Sequence, residues 1–215
     1  KLKIDFSISS ASSDASFRRY FRVKTVKDTF IVMDAPPENE SIEAFVKIGQ
    51  ILTTINVNVP DIFEEDNALG FILMQDFGSD TYLDVLNDDN QQRLYSDSIE
   101  SLIQMQKLVK KDLCQSYTQK ILFDEMSLFI EWYLKKYKKI ELTNKENEKL
   151  LSCFETISKK ALSQEKFFVH RDYHSRNLMN QKLNNPGILD FQDALVGPVT
   201  YDLVSLLKDA YIEWD

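Results

Sequence analysis

His170, Arg171, Asp172 and Asn177 stand in the order H-R-D-x-x-x-x-N, and Asp190 follows at the end of a short apolar pair. Those types at those spacings suit phosphoryl transfer to a hydroxyl group. Such a reaction needs in-line positioning and cations on the phosphate oxygens more than covalent help. Asp172 would orient and deprotonate the acceptor hydroxyl. Asn177, five residues on, offers a neutral oxygen to magnesium, and Asp190, eighteen after Asp172, offers a charged one. Singly, each has a plainer reading: a helix cap, a turn residue, a surface acid. The order and spacing together favour the chemical one.

Both histidines of the chain lie in this segment. His170 leads the loop and reads as a packed structural residue. His174 either faces phosphate or substrate or is structural. Arg171 and Arg176 either neutralise phosphate or acceptor charge or pair with a neighbouring acid. Upstream, Ser10 to Ser16 is a run of small residues just before an aromatic strand, where backbone N–H groups could approach an anion. It contains no glycine; all five glycines lie at or after Gly49.

The elements that must position these residues fall into two parts. Phe17 to Val23 and Thr29 to Met33 read as strands joined by a turn at Lys27-Asp28, and Pro36-Pro37 ends the hairpin. Ser41 caps a helix whose apolar residues Ile42, Phe45, Ile48, Leu52 and Ile55 recur at helical spacing. Phe71 to Gln75 is a further strand. The expected N-terminal unit is therefore a small mixed sheet with one helix on it. After residue 90, three helical stripes follow: Leu94 to Val109, Leu122 to Tyr137 and Leu150 to Ala161. Charged residues 135 to 149 read as a solvated helix end and loop. Phe167 to Val169 is a strand running into the motif. Leu178-Met179 and Ile188-Leu189, separated by Asn184-Asn185-Pro186-Gly187, form a hairpin presenting Asn177 and Asp190. Asp202 precedes a last helix with Leu203, Leu206, Leu207 and Ala210 on one face.

Composition bounds the rest. The chain has 215 residues, 43% of them hydrophobic, which supports a sizeable core and excludes a disordered chain. A net charge of −8 without a basic run argues against nucleic acid or an anionic membrane as partner. No apolar run is long enough for a membrane span or a signal peptide, so a cytoplasmic protein is expected. Cys114 and Cys153 read as reduced, buried thiols in helical patterns. The first residue is not Met, and Asp215 follows an apolar helix-like run, so a longer natural product is expected.

The motif, together with L-D-F-Q-D-A (189–194) and G-P-V-T-Y-D-L (197–203), resembles the aminoglycoside phosphotransferase and choline kinase-like superfamily, relatives of protein kinases. Stretches 13–23, 31–38, 168–179 and 189–211 are most similar to one branch, bacterial cell-wall-recycling sugar kinases. These phosphorylate N-acetylmuramic acid and N-acetylglucosamine at the anomeric hydroxyl. The resemblance implies a two-lobed, kinase-like α+β fold: a nucleotide-binding lobe over 1–76 and a helical lobe over 77–215. It implies ATP and magnesium as cofactors, Asp172 as base, and Asn177 and Asp190 as metal ligands. It makes the 12–18 stretch (Ser12, Ser13, Asp14, Ala15, Ser16 and Arg18) a phosphate loop. Gln75, Asp76 and Phe77 become a hinge meeting adenine through backbone groups. His174, Arg176 and Asp193 are candidates for substrate contact.

One departure from the pattern stands out. Relatives place a lysine on the second strand of the hairpin, paired with a helix glutamate; here Met33 takes that place. Lys24, Arg19 and Arg22 are candidate replacements, with Glu43 as a partner. A kinase acting on an aminoglycoside or an amino alcohol is the alternative within the superfamily. A non-catalytic nucleotide-binding scaffold is the alternative outside enzymes.

Overall fold

Chain chemistry in the first part favours strands: aromatic and β-branched residues are concentrated in Arg19–Thr25 and Thr29–Asp34, with a tight turn between them. In the computed structural model, which describes residues 5–12 and 17–214, these are β2 and β3 of a five-stranded sheet. The other strands are β1 (Phe6–Ser12), β4 (Ile62–Asp66) and β5 (Phe71–Gln75). Their order is β1-β2-β3-β5-β4, and every pairing is antiparallel. The expected mixed, three-strand sheet is thus corrected to an antiparallel one with an extra strand at each edge.

The turn at residues 25–28 is closed by Thr25, whose hydroxyl accepts from the Asp28 N–H at 2.9 Å. Gly70 turns β4 into β5 at φ +74°, and a Cβ there would lie 1.9 Å from the Ala35 carbonyl oxygen, so only glycine fits. Helix α1 (Glu43–Thr54) crosses the sheet. Ser41 Oγ accepts the Glu43 N–H at 3.1 Å, and Phe45, Ile48 and Leu52 are buried along one stripe. They pack with Met33, Ile72 and Met74 of the sheet in the main core.

Helices then dominate: α2 (Tyr82–Val85), α3 (Gln91–Leu108), α4 (Gln119–Leu128) and α5 (Asn144–Leu162). Leu94, Ser98, Leu102 and Met105 form the buried stripe of α3. A π-helical stretch, Phe129–Tyr137, continues α4 and stacks Phe129 on Tyr133 with ring centroids 5.2 Å apart. The segment 135–149 is therefore mostly helical at both ends: α5 starts at Asn144 with a reciprocal cap between Thr143 and Glu146. Both cysteines are free thiols, as expected, but neither is buried: Cys114 lies half-buried in a bend, outside any helix, and Cys153 is exposed on α5.

The last part supports the loop. Strands β6 (Lys166–Val169) and β9 (Leu195–Pro198) pair, as do β7 (Leu178–Met179) and β8 (Gly187–Ile188). Helix α6 spans Tyr201–Leu207, so Asp202 sits inside its first turn and Ala210 lies beyond its end. Phe191, fully buried, packs its ring 4.7 Å from Phe45 and joins this region to α1. No helix among the described residues is long and apolar enough to cross a membrane.

Candidate functional site

Strand β6 delivers the chain into a loop that is pinned at several points. Asp202, fully buried, accepts the His170 N–H at 2.7 Å through Oδ2 and the Arg171 N–H at 3.0 Å through Oδ1. Burial pushes the Asp202 pKa up to about 7, while the two N–H groups pull it down and the charge of Asp172 adds to the rise. Tyr173, also fully buried, donates its hydroxyl to the Ser98 carbonyl of α3 at 2.8 Å. The Ser175 N–H donates to Asp209 Oδ2 at 2.8 Å. Arg171 adopts φ +82°, a conformation that side chains disfavour and that surrounding contacts must hold. Its Nη2 meets Glu125 Oε1 at 2.6 Å and its Nε donates to the Tyr117 hydroxyl at 3.1 Å.

What these anchors leave is Asp172. Its carboxylate makes no hydrogen bond among the described residues, while its backbone carbonyl accepts from Asn177 Nδ2 at 2.9 Å. Burial raises the Asp172 pKa, helped by the charges of Asp190 and Asp193 and opposed by His174 and Arg171. A carboxylate shifted toward neutrality and free to accept is suited to proton abstraction. Asn177 ends a 3₁₀ turn (Ser175–Asn177), and its Nδ2 lies 3.5 Å from Asp190 Oδ2. The hairpin adds a backbone link, Leu189 N–H to the Asn177 carbonyl at 2.9 Å. Sequence-predicted Asp172, Asn177 and Asp190 are thus brought together.

With Nδ2 given to the Asp172 carbonyl and the Asp190 carboxylate, the Asn177 side-chain oxygen accepts no hydrogen bond among the described residues and is left, with Asp190, to meet a cation. That donor pair fits magnesium, which takes one or two protein oxygens and completes its shell with water and phosphate. Among the described residues no set of three or more His, Cys, Asp or Glu side chains converges as a fuller metal cage would.

His170 is fully buried, and burial lowers its pKa to about 4, against the opposing charge of Asp190 and the Leu189 backbone. It stays neutral at physiological pH, as a packed structural residue should. His174 and Arg176 both lie against Tyr211. The His174 ring is 5.5 Å from that of Tyr211, and the Arg176 guanidinium is 5.0 Å from the same ring. Asp193 is exposed, at the end of the Gln192 amide. Arg171, by contrast, is committed to Glu125, the acid-pairing alternative named from sequence.

The sheet side is less conventional. Met33 is fully buried, facing Tyr20 across the ladder. Arg19 pairs with Asp34. Arg22 holds both Asp76 oxygens, at 2.7 and 3.0 Å, and the Gly78 carbonyl at 2.6 Å. Lys24 and Glu43 are exposed. The proposed replacements for the strand lysine are therefore engaged elsewhere or face solvent. Arg18, next to residues 13–16, pairs with Glu40 at 2.5 Å, both largely shielded. Ser12 ends β1, and Ser13, Asp14, Ala15 and Ser16 lie outside the described residues.

In the 75–77 segment, burial alone would raise the Asp76 pKa. The Arg22 bond and charge and the Gly78 N–H outweigh it, and the carboxyl lies below its usual range. The Asp76 side chain is consumed by this clamp. The Phe77 carbonyl accepts from Gln181 Nε2 at 2.8 Å. An open cavity of about 490 Å³ lies beside it, with polar and apolar lining in equal measure, including Gln75, Phe77, Asn180, Gln181 and Leu183.

A family model described as "Phosphotransferase enzyme family" matches residues 7–215. The chain belongs to this family. Within it, the chain is 44% identical over 208 residues to the N-acetylmuramate/N-acetylglucosamine kinase of Pseudomonas putida, covering 97% of this chain and 61% of that protein. It is 38% identical to the protein of the same name from Neisseria meningitidis, covering 98% and 64%. The chain thus spans under two thirds of the length of these relatives. The phosphotransferase fold is equally clear in solved structures. ADP-bound aminoglycoside phosphotransferase APH(2'')-Ib matches with TM-score 0.70 at 17% identity, covering 99% of this chain and 74% of that one. Choline kinase LicA from Streptococcus pneumoniae matches with TM-score 0.69 at 13% identity, covering 96% and 70%. The fold is the two-lobed, protein-kinase-like α+β arrangement expected from the sequence.

Sequence reasoning missed three supports: Asp202, Gln192 and the Tyr117–Glu125–Arg171 cluster. Asp202 and Gln192 lie inside the stretches that carried the resemblance. Glu125 gave no local signal.

Proposed function

We propose that the chain carries the phosphotransferase centre of an ATP- and magnesium-dependent kinase. The acceptor is the anomeric hydroxyl of N-acetylmuramic acid or N-acetylglucosamine. The observation that carries this is the Asn177 amide, which ties the Asp172 backbone to the Asp190 carboxylate and sets a base beside a metal-binding pair. The names of the Pseudomonas and Neisseria relatives support the acceptor class.

The residues divide the work. Asp172 accepts the proton of the sugar hydroxyl as its oxygen attacks the γ-phosphorus of ATP and ADP departs. Asn177 and Asp190 hold magnesium, which when bound neutralises phosphate charge and aligns the γ-phosphoryl group. Asp202 and the Arg171–Glu125 pair keep the loop rigid, so Asp172 needs no reorganisation. We assign the 12–18 stretch to the phosphates and the backbone of Gln75 to Phe77 to the adenine. Arg176, His174 and Asp193 border the acceptor; an arginine there suits the lactyl carboxylate of N-acetylmuramate. We assign 1–76 to the nucleotide lobe and 77–215 to the helical lobe. The enzyme works in the cytoplasm, on small molecules and not on nucleic acid.

The experiment is ATP consumption by purified protein over a panel of amino sugars, aminoglycosides and choline, with ³¹P NMR of the product. Turnover confined to an aminoglycoside or choline would replace the acceptor. No turnover on any alcohol, with nucleotide still bound, would favour a scaffold.

A further inference from the structure

Asp190 is held by more than the hairpin. Gln192 is 6% exposed, and its Nε2 donates to Asp190 Oδ1 at 2.6 Å and lies 3.4 Å from Asp193 Oδ2. A side-chain NH₂ carries two hydrogens, so each carboxylate can receive one. The two acids also fix which end of the amide faces them, because the reverse placement would set an oxygen against two carboxylates. Oε1 is then buried and accepts no hydrogen bond among the described residues. Buried acceptors are normally matched by a donor, often an ordered water. Asp190 itself adopts φ +60°, so its orientation depends on outside contacts. With Oδ1 engaged by Gln192, Oδ2 is the oxygen on the Asn177 side.

We infer that Gln192 is the positioning residue of the metal site. Nε2 fixes Asp190 so that Oδ2 and the Asn177 side-chain oxygen face the cation together, and Oε1 accepts a hydrogen bond from a water of the cation's shell. Magnesium keeps several waters, and each carries O–H donors that need acceptors. The inference rests on the phosphotransferase reading, with Asn177 and Asp190 as the metal pair. Gln192 touches neither substrate nor metal; it acts through Asp190 and through water.

The test is ADP binding by calorimetry, titrated against magnesium and repeated in EDTA. Gln192→Met keeps the side chain's length and removes both amide functions. The half-saturating magnesium concentration should rise about 10–100-fold, the usual scale for a lost outer-sphere partner, with ADP affinity in EDTA unchanged. An unchanged magnesium requirement overturns the inference. So does an equal loss of ADP affinity in EDTA, which would mark a packing role. Should Gln192→Met fail to fold, Gln192→Asn, one methylene shorter, must show the same selective rise. A wild-type protein whose ADP binding ignores magnesium would instead overturn the phosphotransferase reading itself.

Discussion

Asp202→Asn tests how the loop 170–177 is held. The wild-type carboxylate is fully buried on two backbone N–H groups, with its pKa raised from 3.8 to about 7. Between those values the folded chain keeps a proton that the unfolded chain has released. The stability from this group is therefore complete below the unfolded pKa and is lost as pH rises through the folded one. Crossing about two units of that window, from about pH 5 to about pH 7, removes about 2.7 kcal/mol. Asparagine does not ionise and escapes this loss. It instead sets an NH₂ group against a backbone N–H, at about 1–3 kcal/mol across the whole range. Urea unfolding of both proteins at about pH 5 and about pH 8 reads the difference, and the other titrating groups cancel in it. The variant should be the less stable at the acid end. The gap should shrink by about 2–3 kcal/mol at the alkaline end. A gap that stays constant with pH would refute the raised, buried carboxylate as the loop's anchor.

Two further substitutions probe the two halves of the site. Asp172→Asn should lower kcat by about 10²–10⁴-fold, with melting temperature and ADP affinity preserved; near-normal turnover in the folded variant would remove Asp172 from the base's role. Met33→Lys restores the residue type usual on that strand, but at a fully buried position with Asp34 already paired to Arg19. It should destabilise by about 3–5 kcal/mol, as for an uncompensated buried charge, and a thermal melt equal to wild type would show an acid partner in reach.

The legible parts of this molecule were local ones. Asp172 and Asn177 belong to one turn of chain, and the hairpin between Asn177 and Asp190 is announced by its Asn-Asn-Pro-Gly segment. Asp202 is different: its role exists only because α6 brings its first turn against His170, an approach that no spacing rule encodes. Glu125 is 46 residues from Arg171, and its single negative charge looks like any other on a helix. The edge strands failed for another reason. β1 is rich in serine and β4 carries Glu64, Glu65 and Asp66, because edge strands facing solvent need no alternating apolar pattern and charge protects them from pairing further. The central strands β3 and β5 carry the buried apolar residues and were plain.

The claim that matters most is that Asp172, Asn177 and Asp190 form a working phosphoryl-transfer centre for an amino sugar. Purified protein, spanning the same share of its relatives as this chain or their full length, is mixed with ATP, magnesium and N-acetylmuramic acid and followed by ³¹P NMR. The account predicts an anomeric sugar phosphate and ADP in equal amounts, both abolished by EDTA and by Asp172→Asn. Product formation by the full-length protein that survives Asp172→Asn would contradict it.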